Sequence, residues 1–170
     1  MGARRAFTLA ELVAVVAVLG IVSVVAVPAT WWMAATRSGG AARVLVQDLT
    51  YAREHAMQSG TPSWVVFSTA SQTYSILAED AADPGREGGQ PIEDPATGWA
   101  YTQAYGEGSF VGVSLLAASF EGVPEVGFDW LGRPLRAGGT TLGSRGTVTL
   151  NDGFGCVVEP GTGLAWMTSP

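Results

Sequence analysis

The side chain with the least obvious place in this sequence is Glu11. It opens an apolar run that extends from Leu12 to Val27 with only Gly20 and Ser23 interrupting Val, Ala, Leu and Ile. A carboxylate at the edge of a hydrocarbon-length segment is costly unless a cation pairs with it or water reaches it. Other residues that could do chemistry are sparse. Cys156 is the single cysteine, which excludes an intrachain disulfide, and its setting Phe154-Gly155-Cys156-Val157-Val158 suits a buried apolar thiol. His55, the single histidine, has no acids at ligand spacing and reads as an exposed helix residue, so no metal site is expected there. The acids Glu79, Asp80, Asp83, Glu87, Glu93 and Asp94 lack the Asp-x-Asp-x-Asp-Gly order of a calcium loop. No Gly-x-Ser-x-Gly, His-Glu-x-x-His or P-loop occurs, so neither catalysis nor a cofactor is expected.

What must position Glu11 is a helix. About 20 apolar residues at roughly 1.5 Å rise cross a bilayer core, and the run continues past Pro28 with Trp31, Trp32 and Met33. Arg4 and Arg5 before it mark the cytoplasmic end of a single-pass anchor by the positive-inside rule. A cleaved secretory signal fits less well, because its core is shorter and Ala26-Val27-Pro28-Ala29 sets a proline where cleavage would fall. A plain anchor leaves Glu11 unexplained, unless the carboxylate rests at headgroup level in water.

Arg4-Arg5-Ala6, Phe7 and Thr8-Leu9-Ala10-Glu11 together resemble the class III signal of type IV pilins and of the pseudopilins of type II secretion. The resemblance implies a leader at 1–6, cleavage between Ala6 and Phe7 by a membrane prepilin peptidase, and N-methylation of Phe7 by the same enzyme. Where the family usually has glycine before the cut, this chain has Ala6, also a small residue. Gly20 and Pro28 match the glycine and proline bounding the helix segment that unwinds in assembled pili. Physically, a new amine on Phe7 would lie four residues before Glu11. Pairing the two, within a chain or between neighbours, offsets the cost of burying the carboxylate and works at one axial register.

The rest of the 170 residues allows one small domain. The expected organisation is leader 1–6, transmembrane and assembly helix 7–35, amphipathic helix 36–60 and a β-rich domain 61–170. Net charge is -6; without Arg4 and Arg5, 7 arginines face 15 acids, giving -8. That balance opposes nonspecific phosphate binding. Leu45, Leu49, Ala52 and Ala56 form one helix face, with Arg43, Gln47, Asp48, Glu54 and Gln58 on the others. Gly39-Gly40 predicts a kink or short break, and Ser59-Gly60-Thr61-Pro62 a stop. Trp64 to Ser68 and Thr73 to Ala78 read as a hairpin, and 79–98 as a polar loop unable to bury enough apolar area to order itself. Trp99 to Tyr105, Phe110 to Leu116, Val126 to Trp130, Thr147 to Leu150, Gly155 to Val158 and Leu164 to Met167 read as short strands.

Ala52-Arg53-Glu54-His55-Ala56 and Phe128-Asp129-Trp130-Leu131-Gly132-Arg133-Pro134 resemble segments of the H-type minor pseudopilins and the related FimT-type minor pilins. Val157-Val158 to Trp166 resembles the closing hairpin of that domain. The fold implied is α+β and type IV pilin-like: a long N-terminal transmembrane helix packed on a C-terminal antiparallel sheet domain. The function implied is that of a structural minor pseudopilin of type II secretion, in the bacterial inner membrane with its domain periplasmic. The partners implied are the prepilin peptidase, other pseudopilins, the inner membrane and secreted cargo. The alternative is a type IV pilus minor pilin in pilus assembly or DNA uptake. The closing hairpin lacks arginine, and Arg133, Arg136 and Arg145 are the one basic cluster, so nucleic acid is not the expected partner.

Overall fold

A computed structural model of the chain describes residues 8–170, the side chains of 23–35 excepted; Arg4, Arg5, Ala6 and Phe7 lie outside the described residues. Helix α1 runs from Leu9 to Ser59. It starts after Thr8, whose Oγ1 accepts the Glu11 N–H at 3.3 Å, the Thr-x-x-Glu spacing of a capping box. It ends at Gly60, which takes φ +73° and donates its N–H to the Ala56 carbonyl at 3.0 Å, the left-handed stop that glycine permits.

The chain divides into two compact units between Ala35 and Thr36. In the first, Leu9, Leu12, Val13, Val15, Val16, Val18, Leu19, Ile21 and Val22 are each 49–81% exposed. No helix among the described residues is long and apolar enough to cross a membrane. Gly20 and Pro28 both lie within α1. A proline has no N–H, so one carbonyl a turn earlier loses its helical donor there.

In the second unit the helix continues without a break through Gly39-Gly40, contrary to the expected interruption. The reason is tertiary. Ser38, Ala41 and Ala42 are fully buried, and the Phe154 ring lies 3.3 Å from where a Gly39 Cβ would stand. The glycine lets the helix approach that ring, and packing outweighs its propensity cost of about 1 kcal/mol. Ser38 Oγ donates to Asp152 Oδ2 at 2.8 Å, tying the helix to the turn beside Phe154. Leu45, Leu49, Ala52 and Ala56 are wholly buried, as their spacing predicts.

Two antiparallel sheets follow. The first contains β1 (Ser63–Ser68), β2 (Thr73–Ala78), β3 (Gln90–Pro91), β4 (Thr102–Ala104), β6 (Glu125–Phe128) and β7 (Pro134–Leu135). Their order is β3-β2-β1-β6-β7, with β4 also on β2. The second contains β5 (Leu115–Ser119), β8 (Gly146–Leu150), β9 (Gly155–Val158) and β10 (Ala165–Thr168), ordered β10-β9-β8-β5. The hairpin β1-β2 forms as expected, with β1 starting one residue earlier than Trp64, pairing Ser68 with Thr73 and Ser63 with Ala78. Trp64 and Tyr74 of this hairpin, with Phe120 and Phe128, are the largest fully buried side chains among the described residues.

Three expectations change. The 79–98 loop is not without order: buried Ile92 donates to the Ile76 carbonyl at 3.0 Å and accepts from Tyr101 N–H at 2.7 Å, so one apolar side chain threads the loop between β2 and β4. The segment Phe110 to Leu116 opens as a 3-10 turn, Gly108–Phe110, and becomes a strand only at Leu115. β7 is an added edge strand; its two residues are too few to carry a period of their own.

Candidate functional site

Glu11 sits in the first turn of α1, where the positive end of the helix dipole favours a carboxylate. It shares an open apolar groove of about 300 Å³ with Ala14, Val15, Val18 and Leu19. Among the described residues no cation pairs with it; the expected amine partner at Phe7, like the cleavage position at Ala6, lies outside them. An apolar helix exposed on all faces needs another apolar body around it. The sequence reading set Thr8 in the signal motif and missed that it caps the helix, although its spacing from Glu11 carries the capping signal.

The globular unit is locked at a second place. Arg53 Nε donates to the Gly132 carbonyl at 3.0 Å and to the Thr162 carbonyl at 3.1 Å, so one helix side chain holds a turn from each sheet. Gly132 takes φ +76°, and a Cβ there would meet Arg53 Nε at 2.8 Å. Gly163 faces the Gly132 carbonyl where its own Cβ would be. Asp129 builds the first turn: Oδ1 accepts the N–H groups of Leu131 and Arg133 at 2.9 and 2.8 Å, and Oδ2 pairs with Arg133 Nε at 2.7 Å. One residue before Arg53, the buried Ala52 carbonyl accepts Ser63 Oγ at 2.5 Å, fastening β1 to the helix. The two segments singled out by resemblance, Ala52 to Ala56 and Phe128 to Pro134, are thus neighbours across this junction.

Asp48 corrects the sequence reading, which set it on a polar face. It is buried, with Oδ2 accepting the Tyr74 hydroxyl at 2.5 Å and Oδ1 the Tyr101 hydroxyl at 2.8 Å. Burial pushes its pKa above the ordinary value of 3.8, against the lowering effect of the two phenols. Tyr101 stacks on Tyr51 with centroids 5.4 Å apart. Burial raises the pKa of Tyr74, Tyr101 and Tyr105 as well. The Tyr105 hydroxyl is buried without a hydrogen-bond partner among the described residues. Cys156 is buried, its thiol pushed up to about 12, so it is an unreactive core residue as its setting implies. His55 is half-buried rather than exposed, beside the Tyr51 ring at 6.2 Å.

The basic cluster is neutralised within the chain. Arg133 pairs with Asp129 at 2.7 Å, Arg136 with Glu121 at 3.7 Å and Arg145 with Glu159 at 3.1 Å. Of the tryptophans with described side chains, Trp64 is buried, whereas Trp99, Trp130 and Trp166 are 78%, 59% and 39% exposed. Among the described residues no group of His, Cys, Asp and Glu is placed to hold a metal ion. What the arrangement offers is a set of contacts: an apolar helix with a carboxylate at its head, and a pinned two-sheet unit with exposed indoles.

No family model matches the chain, and no curated protein matches it by sequence. Two solved structures of the minor pseudopilin EpsH from the type 2 secretion system of Vibrio cholerae are similar to it. One aligns with a TM-score of 0.53 at 14% identity over 76% of this chain and 94% of EpsH. The other gives 0.56 at 13% identity over 80% and 96%. At such identity the likeness is one of architecture, and in architecture this chain, an α+β molecule of one long helix and antiparallel sheets, is folded as the minor pseudopilin EpsH is.

Proposed function

We propose that the chain is a structural minor pseudopilin of a type II secretion system, anchored in the bacterial inner membrane with its two-sheet unit on the periplasmic side. The observation that carries this reading is a helix whose first four turns are apolar on every face after Glu11, on a chain folded like EpsH. In that role prepilin peptidase cuts between Ala6 and Phe7 and methylates the new amine. Glu11 then meets an amine, its own or a neighbour's, and sets the axial register as the subunit leaves the bilayer for a pseudopilus. Gly20 and Pro28 mark the stretch of helix that yields during that transfer. Partners are other pseudopilins, and the exposed indoles suit contact with them or with cargo. The role is structural, not catalytic.

The test is the amino terminus of the protein extracted from membranes. Mass spectrometry is expected to find methylated Phe7; a terminus at Met1 or within 28–35 defeats the proposal. Glu11→Ala should be processed normally yet fail to cross-link to neighbouring subunits. The second reading, a type IV pilus minor pilin for DNA uptake, is disfavoured by the pairing of Arg133, Arg136 and Arg145 with acids. Duplex DNA binding with a steep salt slope at physiological salt would restore it.

A further inference from the structure

A cleft of about 720 Å³ opens where the start of the 79–98 loop passes the turn after β7. That volume falls in the range of small-ligand sites, about 300 to 1,000 Å³. Its floor is built by β1 and β6. Trp64 of β1 stands opposite Gly127 of β6, and a Cβ at Gly127 would lie 2.8 Å from the Trp64 ring, so the absent side chain is what admits the indole. Glu125, two residues before Gly127, projects from the same face of β6 and lines the cleft with Trp64. The indole is 1% exposed, and its Nε1 donates to Glu79 Oε2 at 3.3 Å.

Glu125 is only 8% exposed, yet its carboxylate is held at a single point: Arg86 Nε donates to Oε2 at 2.9 Å. Oε1 accepts no hydrogen bond among the described residues, and it is not sealed from solvent. A carboxylate offers about four acceptor positions, and a buried one ordinarily fills them. Arg86 is half-used as well, since only one of the five N–H donors of a guanidinium is engaged. At the rim Asp83 and Glu87 are exposed and pair with no cation among the described residues. With Glu79, the lining sets four carboxylates against one guanidinium.

We propose that this cleft takes an arginine side chain of a partner polypeptide, with Glu125 as its buried acceptor. Charge complementarity selects a cation, and the cation already present shows which kind the carboxylate accepts. Arg86 reaches Glu125 through one N–H and leaves Oε1 open. A guanidinium entering from solvent can bring its planar fork to Oε1 and to the rim carboxylates together, a geometry that an ammonium lacks. Leu135 and Ala137 on the opposite wall give its methylene stem an apolar surface. A divalent ion is disfavoured, because among the described residues no group of acids is placed to hold a metal. Arg86 thereby acts as an internal competitor: it weakens the hold on a visiting cation without closing the site.

The test titrates the full chain, in micelles of an uncharged detergent, with acetyl-Gly-Arg-Gly-amide, followed by calorimetry and by NMR of the indole N–H groups. One saturable site is expected. The citrulline isostere of the peptide, which keeps the shape and loses the charge, should bind about tenfold more weakly, and Glu125→Gln should weaken the arginine peptide by a similar factor. Arg86→Gln should tighten it by about threefold, because a like charge has left the site. Equal affinity for the two peptides overturns the proposal. So does a loss of affinity in Arg86→Gln with unchanged circular dichroism, since the Arg86–Glu125 pair is then only a structural clasp. Glu93→Gln removes an exposed acid of the same loop that does not line the cleft. It should leave affinity within about twofold; a loss as large as that of Glu125→Gln means diffuse attraction to the loop and also overturns the site. Should Glu125→Gln fail to fold, the citrulline and Arg86→Gln measurements decide the matter. None of these readouts depends on processing at Phe7.

Discussion

At the scale of single residues, the chain is held by side chains that join elements distant in sequence. Arg53 is the plainest case, since its Nε reaches a carbonyl in a turn of each sheet. Arg53→Ala should lower stability by about 1 kcal/mol, the lower part of the range for a charged donor because the Gly132 contact is half-buried and the Thr162 contact exposed, read as a shift in the urea midpoint of the chain in micelles. Arg53→Lys should not restore it, because an ammonium on a flexible stem lacks the planar fork. Asp48 yields a pH prediction. Its folded pKa is raised above 3.8, so between that value and the folded pKa the native state holds more protons than the unfolded chain. Stability therefore falls as pH rises through that window. Asp48→Asn, which keeps an acceptor for one tyrosine, should flatten that part of the stability curve; an unchanged slope in urea titrations at several pH values would refute the assignment. The sequence hides this residue. Asp48 stands at i+3 from Leu45 and i-4 from Ala52, on the buried stripe, but Tyr74 and Tyr101, which satisfy it, are brought in by β2 and the segment before β4.

At the scale of elements, local patterns were legible where one rule governed and misleading where tertiary contact overruled it. The helix stop at Gly60 and the β1-β2 hairpin follow from glycine and from β-branched alternation, and they fall where the sequence puts them. The continuous helix through Gly39-Gly40 does not, because the ring that occupies the space beside Gly39 belongs to Phe154, over a hundred residues away. Gly39→Leu should therefore destabilise the globular unit by about 1–3 kcal/mol even though leucine is the better helix former. A loss of near-ultraviolet dichroism and a lower urea midpoint would register it, and a stabilised variant would refute the packing account. The 79–98 loop shows the same limit. Its composition signals a solvated coil, while Ile92 and its two main-chain bonds order its centre.

At the scale of the whole molecule, the architecture was legible from helix and strand periods together with the Ala52 to Ala56 and Phe128 to Pro134 segments, and the comparison with EpsH agrees with it. The contact geometry of the candidate site was not, since it depends on which turns Arg53 reaches and on which acid answers each arginine. One feature of the polar loop bears on assembly through ionic strength. Residues 79–98 carry six carboxylates, Glu79, Asp80, Asp83, Glu87, Glu93 and Asp94, against the single guanidinium of Arg86, a local charge of -5. Arg86 is itself committed to Glu125 at 2.9 Å. Two copies that approach with these loops facing repel each other across a distance set by the Debye length, about 8 Å at physiological salt and about 30 Å at 0.01 M. Dilute electrolyte should thus keep like subunits apart on that side, and chemical cross-linking between copies through the 79–98 loop should rise as salt is added until screening is complete. The loop then acts as an electrostatic spacer on the face it occupies.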